Sequence, residues 1–236
     1  MPSRPLATPT DVAYLAELMR DFPASKSVTP QEAIAVIQGR YQSIEQSTGN
    51  LVEAISRERE KLKLAETFRT LAMLFHLALF RDLLSNAGNF RQPTEPNHGY
   101  VGFGKVDVRS PSLAQFNGTR ADGIEDELSD AFTLLSSADR DPVRNSVVFY
   151  QKFVRIHPFY DGNGRIARAL VTIYLRLYDY HVLWKALETT KKNEFIKRLN
   201  ACHKREKNPG LLAEYQEHLF SFWNKFVVPI SNMTGP

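Results

Sequence analysis

Nine residues, His157 to Arg165 (HPFYDGNGR), constrain this chain more than any other stretch. They set a histidine, an aspartate, an asparagine, two glycines and an arginine between VVFYQKFVRI and IARALVTIYLRL, whose apolar residues recur at helical spacing. Pro158 disfavours helix at His157 and removes a backbone donor, so the first helix is expected to stop near Ile156. Asp161-Gly162-Asn163-Gly164 is a turn sequence, and the second helix is expected to begin near Gly164. A glycine turn feeding a helix N-terminus points unpaired N–H groups one way, at the positive end of the helix dipole, and so makes an anion site.

Charge sharpens that reading. Arg165 and Arg168 fall in the first turn of the second helix, three residues apart and on one side. Two cations there oppose the dipole, by roughly 0.3–1 kcal/mol each at an exposed site. A multiply charged anion would turn the conflict into attraction, and a polyphosphate fits best. Asp161, of opposite sign, suits a Mg²⁺ ion shared with phosphate oxygens. His157 is substantially neutral near pH 7 and can take a proton from an attacking hydroxyl. A lone histidine at a helix end is more often a structural hydrogen bonder, and a lone DGNG only a turn. Base, metal ligand, anion nest and paired cations in one loop outweigh those readings. Phe159 is expected to be a buried anchor for the loop.

The remaining chain reads as helices. TDVAYLAELMRDF carries Leu15, Leu18, Met19 and Phe22 on one side, and TPQEAIAVIQGRY opens with Thr29, Pro30 and Glu32, a capping box. Helical patterning continues from Asn50 to about Asn86, with a glycine cap expected at Gly88. FRTLAMLFHLALFRDLL is apolar nearly all round and should be buried. Tyr100 to Val108 is the single β signal and reads as a small hairpin. Asp141-Pro142 opens the helix entering the motif. The expected fold is therefore all-α with one small β-hairpin. At 236 residues and a net charge of +4, with no basic window, the chain gives little support to nucleic-acid binding. One cysteine, Cys202, excludes an internal disulfide and a cysteine-cluster metal site. With no signal stretch and no apolar run of membrane length, a cytoplasmic enzyme without membrane partners is expected.

His157 to Arg168 (HPFYDGNGRIAR) resembles the Fic family signature H-P-F-x-[DE]-G-N-G-R-x-x-R at every position. FHLALFRDLLSNAGNFR, Phe75 to Arg91, looks like that family's upstream helix with its Ala-Gly-x-x-Arg turn, and residues 100–108 sit where the family has a target-binding flap. The resemblance implies a catalytic core over residues 65–185, a helical extension over 1–64 that could regulate it, and C-terminal helices over 186–236 packed on the core. It also implies transfer of AMP from ATP to a Ser, Thr or Tyr hydroxyl of a target protein held at the flap. His157 would deprotonate that hydroxyl, Asp161 would hold Mg²⁺, Gly162, Asn163 and Gly164 would cradle the α- and β-phosphates, and Arg165 and Arg168 would bind the β/γ end. Family members that phosphorylate instead carry Ala and Lys where this chain has Gly162 and Gly164. Transfer of UMP, phosphocholine or phosphate is the nearest alternative, and a peptide-binding module with incidental catalysis the next.

Many members of the family are silenced by a glutamate in the pattern [ST]-x-x-x-E-[GN], which pairs with the second motif arginine, here Arg168. No strict match exists in this chain. Glu45, in SIEQSTGN, is the nearest candidate, with Glu60 and Glu194 behind it, and a separate inhibitor protein is the alternative.

Overall fold

The computed structural model describes residues 9–25, 27–104, 107–109, 111–136 and 141–232. Helix α1 (Pro9–Asp21) buries Leu15 and Leu18. Helix α2 (Pro30–Glu58) begins with the expected box: Thr29 accepts from the Glu32 N–H, and the Glu32 carboxylate accepts from the Thr29 N–H at 2.8 Å. Its buried face, Ala33, Ile37, Tyr41, Ile44 and Thr48, advances by three or four residues, so one stripe faces the core.

The helical run expected from Asn50 to Asn86 divides in two. α2 ends at Glu58, Leu62 and Lys63 are extended, and α3 occupies Leu64–Phe80. The charged stretch SREREKLK carries too few apolar positions to keep a helix on the core through that point. Gly88 is not the cap, because α3 stops at Phe80; Gly88 (φ 88°) instead turns the chain back so that its N–H reaches His76 Nδ1 at 2.8 Å.

Helix α4 (Ile124–Thr133) follows, then α5 (Pro142–Ile156), capped by the Asp141 carboxylate, and α6 (Asn163–Arg176). α6 is buried along most of its length and packs against α5, α2 and α3, so the core sits around the helix that leaves the motif. A short helix α7 (Trp184–Ala186) runs into a π-helical turn at Leu187–Lys191, then α8 (Lys192–His203) and α9 (Pro209–Trp223), whose Trp223 donates to Ser146 Oγ in α5.

Two small antiparallel pairs accompany the helices. Strand β1 (Gly102–Phe103) pairs with β2 (Phe116–Asn117), and a single bridge joins Gly102 to Val108. The expected hairpin at 100–108 is thus the near half of a wider flap reaching Asn117; residues 105 and 106 lie outside the described residues. β3 (Tyr180–Val182) pairs with β4 (Val227–Pro229), ties the C-terminus to the end of α6, and had no period-2 signal in so short a run. Among the described residues, no helix is long and apolar enough to cross a membrane.

Candidate active site

α5 stops where Pro158 requires, and His157 takes the left-handed conformation at φ 55°, ψ 58°. For a non-glycine residue this costs roughly 1–2 kcal/mol, so the surroundings must hold it. Arg91 does so. Its guanidinium is buried at 1% exposure and donates to the carbonyls of His157 (2.8 Å), Thr119 (2.8 Å), Ile156 and Gly99, while its N–H donates to Pro158. Burial pulls its pKa down to about 10, which leaves it charged at neutral pH. The arginine of the Ala-Gly-x-x-Arg turn is therefore the staple that binds α3's exit loop to the motif.

The middle of the loop is fixed by apolar contact. Phe159 is fully buried and stacks on His76 of α3, ring centres 4.1 Å apart and planes within 7°. His76 accepts from Gly88 at Nδ1, and burial lowers its pKa to about 3, so the ring stays neutral. Asn163 closes the loop: its Oδ1 accepts from Phe159 N–H at 3.0 Å and its Nδ2 donates to Phe159 C=O at 2.8 Å. Both polar ends of this side chain are bonded to the loop. What it can offer a ligand is its backbone N–H.

Gly162 caps α6 with φ 83°, and a Cβ there would lie 2.9 Å from the Phe80 ring, so both conformation and space require glycine. Gly164 lies within α6, and a Cβ there would meet only the Tyr150 hydroxyl, at 3.8 Å, so space beside its backbone does not by itself require glycine. The first helical N–H to find a helix carbonyl is that of Ile166, to Gly162. The N–H groups of the preceding turn are the expected anion cradle.

Arg165 lies in the first turn of α6 and Arg168 three residues further along, past the first turn in which the sequence reading places it, and each already has a carboxylate. Arg165 donates to Asp161 at 2.8 Å. Burial pushes the Asp161 carboxyl upward, but Arg165 and the Gly162 N–H outweigh it, and the net shift is downward. Arg168 pairs with Glu188, in the π-helical turn, and sits near the rings of Tyr41 and Trp184. The carboxylate facing Arg168 is thus not Glu45, which is exposed on α2 and bonds the Tyr41 hydroxyl, nor Glu194, which pairs with Arg198 and Lys191; Glu60 is exposed. Glu188 escaped the sequence reading because Trp184 precedes it by four and Thr189 follows it.

His157 faces the same space. Its Nδ1 lies 3.3 Å from the Val154 carbonyl, which can only accept, so the tautomer that fits this contact is protonated at Nδ1 and presents a lone pair at Nε2. Nε2 is buried without a hydrogen-bond partner. The flap residue Phe103 stacks on the imidazole at 4.8 Å and 11°. Phe103 and Phe116 in turn meet the edge of His203 from α8, at 5.5 and 5.4 Å. A cavity of 340 Å³ joins these parts, lined by Phe103, Asp107, His157, Asp161, the loop glycines, both arginines and the α8 residues Ile196, Leu199, Asn200 and His203. Such a volume suits a small-molecule ligand. Among the described residues, no three His, Cys, Asp or Glu side chains converge as a metal cage. Asp161, ionised and at the cavity wall, fits instead a cation held by one carboxylate together with phosphate oxygens and water.

The profile of the Fic/DOC family matches residues 67–175. A stretch of 75 residues is 29% identical to protein adenylyltransferase fic-1 of Caenorhabditis briggsae; it covers 30% of this chain and 15% of that protein. The N-terminal Fic domain of Bep8 from Bartonella sp. 1-1C has a similar fold, with a TM-score of 0.54 at 15% identity over 83% of this chain and 86% of that one. A Fic family protein from Desulfovibrio desulfuricans aligns with a TM-score of 0.47 at 21% identity over 92% of this chain and 63% of that one. Residues 67–175, the stretch that holds the motif loop, match the Fic/DOC family, and the fold resembles that of a Fic domain.

Proposed function

We propose that this protein transfers AMP from Mg·ATP to a hydroxyl of a target protein. One observation carries the reading: His157, whose Nε2 has no hydrogen-bond partner, lines the same cavity as the α6 N-terminus, Asp161 and two arginines. The target hydroxyl gives its proton to Nε2 as its oxygen attacks the α-phosphorus. The bond from the α-phosphorus to the bridging oxygen breaks, and pyrophosphate leaves with that electron pair. The first-turn N–H groups of α6 and the guanidinium groups of Arg165 and Arg168 bind and orient the phosphates. Asp161 is the carboxylate that would hold Mg²⁺, which supplies charge neutralisation on the phosphates. Gly162 and Gly164, where phosphorylating members of the resembled family carry Ala and Lys, favour nucleotidyl over phosphoryl transfer.

Glu188 has a place in this reading. It now occupies the charge of Arg168 that the terminal phosphate would use, so it competes with ATP and restrains the basal rate; this role moves from Glu45 to Glu188.

The test is incubation of the wild type and His157→Ala with labelled Mg·ATP and a cell lysate. Transfer should fall about 10²–10⁴-fold in the variant while ATP binding persists, because a base contacts the incoming hydroxyl rather than the nucleotide. Transfer within tenfold of wild type would overturn the role of His157.

A further inference from the structure

The mechanism above leaves one cavity-lining carboxylate unused. Asp107 stands on the flap, next to Val108, which bridges to Gly102, and lines the cavity. Its Oδ2 lies 3.6 Å from His157 Nε2, and its side chain is 29% exposed and lines the cavity. A carboxylate beside a catalytic imidazole invites comparison with an orienting dyad, but the geometry is that of the wrong nitrogen. An orienting carboxylate holds the N–H remote from the reaction. Here that nitrogen, Nδ1, is taken by Val154, and Asp107 faces the nitrogen that must receive the proton. A bond from Asp107 to Nε2 would exclude the substrate hydroxyl instead of helping it.

Asp107 therefore needs another partner when substrate is present. The cavity's two arginines are committed, to Asp161 and Glu188, and a triphosphate would bring further negative charge. The hydroxyl must come within about 2.6–3.2 Å of Nε2 to lose its proton. The residue bearing it, or its immediate neighbour, then lies against Asp107. Resting on the transfer reading, we propose that Asp107 is a specificity-determining residue that selects target hydroxyls flanked by a cationic side chain and rejects those flanked by carboxylates.

Wild type, Asp107→Asn and Asp107→Lys are each incubated with Mg·ATP and one cell lysate, and every modified hydroxyl, including those on the enzyme itself, is mapped by mass spectrometry. Melting temperatures of the three proteins establish that the variants fold. Wild-type sites should carry Lys or Arg within two positions about tenfold more often than Asp or Glu, as expected where an unpaired like charge is the rejecting element. Asp107→Asn should bring that ratio near the lysate background, and Asp107→Lys should reverse it. Wild-type sites indifferent to flanking charge, or the same preference in all three proteins, would overturn the inference and leave the transfer reading standing. An equal loss at every site in Asp107→Asn, with the preference unchanged, would show a role in proton handling and also overturn it. No modified hydroxyl from any of the three would overturn the transfer reading and this inference together.

Discussion

The motif loop and the flap face each other across one cavity, yet they are built in opposite ways. The loop, residues 157–164, is packed from behind: Phe159 lies against His76, Asn163 is bonded twice to Phe159, and Arg91 gathers the carbonyls around His157. The flap has two-residue strands, one bridge and an exposed tip in which Leu113 is 73% exposed. It meets the body through Phe103 on His157, through His203, through Arg155, which donates to the Asn117 carbonyl at 2.9 Å, and through buried Arg109, which pairs with Asp21 of α1 at 3.2 Å and lies over the Tyr160 ring. Chemistry needs phosphorus, base and cations held to fractions of an ångström, and the loop is rigid in that sense. A surface that accepts a protein segment gains from strand edges that are not already satisfied.

Truncation breaks the comparison most severely. Phe159→Ala removes a fully buried ring that anchors the loop and should cost about 3–5 kcal/mol in denaturant unfolding. Leu113→Ala at the flap tip should change stability by less than about 0.5 kcal/mol. Comparable losses at both positions would mean that the flap is as deeply built into the core as the loop.

Acid tests the two buried imidazoles, His76 behind the loop and His203 beneath the flap. Burial lowers both pKa values to about 3, whereas an unfolded histidine takes a proton near 6.5. Between those values the unfolded chain binds protons that the folded chain refuses, so stability must fall as pH drops. At pH 5 each ring should account for up to about 2 kcal/mol relative to pH 7. Asp161 does not contribute in this window: its carboxyl is held below the usual range, so its share is present above about pH 4 and lost only as pH falls further. Urea midpoints at both pH values check this, and His76→Phe should flatten the dependence. A midpoint independent of pH would contradict the neutral, buried assignment.

Glu188→Gln gives the smallest effect and sharpens the contrast between the two arginines. Arg165 is held from within the loop by Asp161, Arg168 from outside by the π-helical turn. The Glu188 side chain is 38% exposed, so releasing Arg168 should tighten Mg·ATP binding and raise transfer by about tenfold. An unchanged affinity in titration calorimetry would remove Glu188 as a competitor.

Much of the loop was legible in the sequence because proline, glycine and capping rules act over a few residues. The stop at Ile156, the turn at Gly162, the box at Thr29 and burial of Phe159 all follow from such local rules. The α2–α3 break was hidden because a charged face reads as helix until its missing core contacts are known. The double bond of Asn163 to Phe159 was not readable, since an asparagine in a turn offers its side chain equally to a ligand or to its own backbone. Glu188, Asp107 and the His76–Phe159 stack bring together residues 20 to more than 80 positions apart, which no spacing rule reaches.

The central claim is that the α-phosphorus, and not the γ-phosphorus, passes to the target. ATP labelled separately at each position, supplied with Mg²⁺ and lysate to wild-type protein, decides it. The account predicts that label from the α-phosphate stays on protein through denaturing electrophoresis, while γ-label leaves as pyrophosphate. Retention of the γ-label, or of neither, would contradict it.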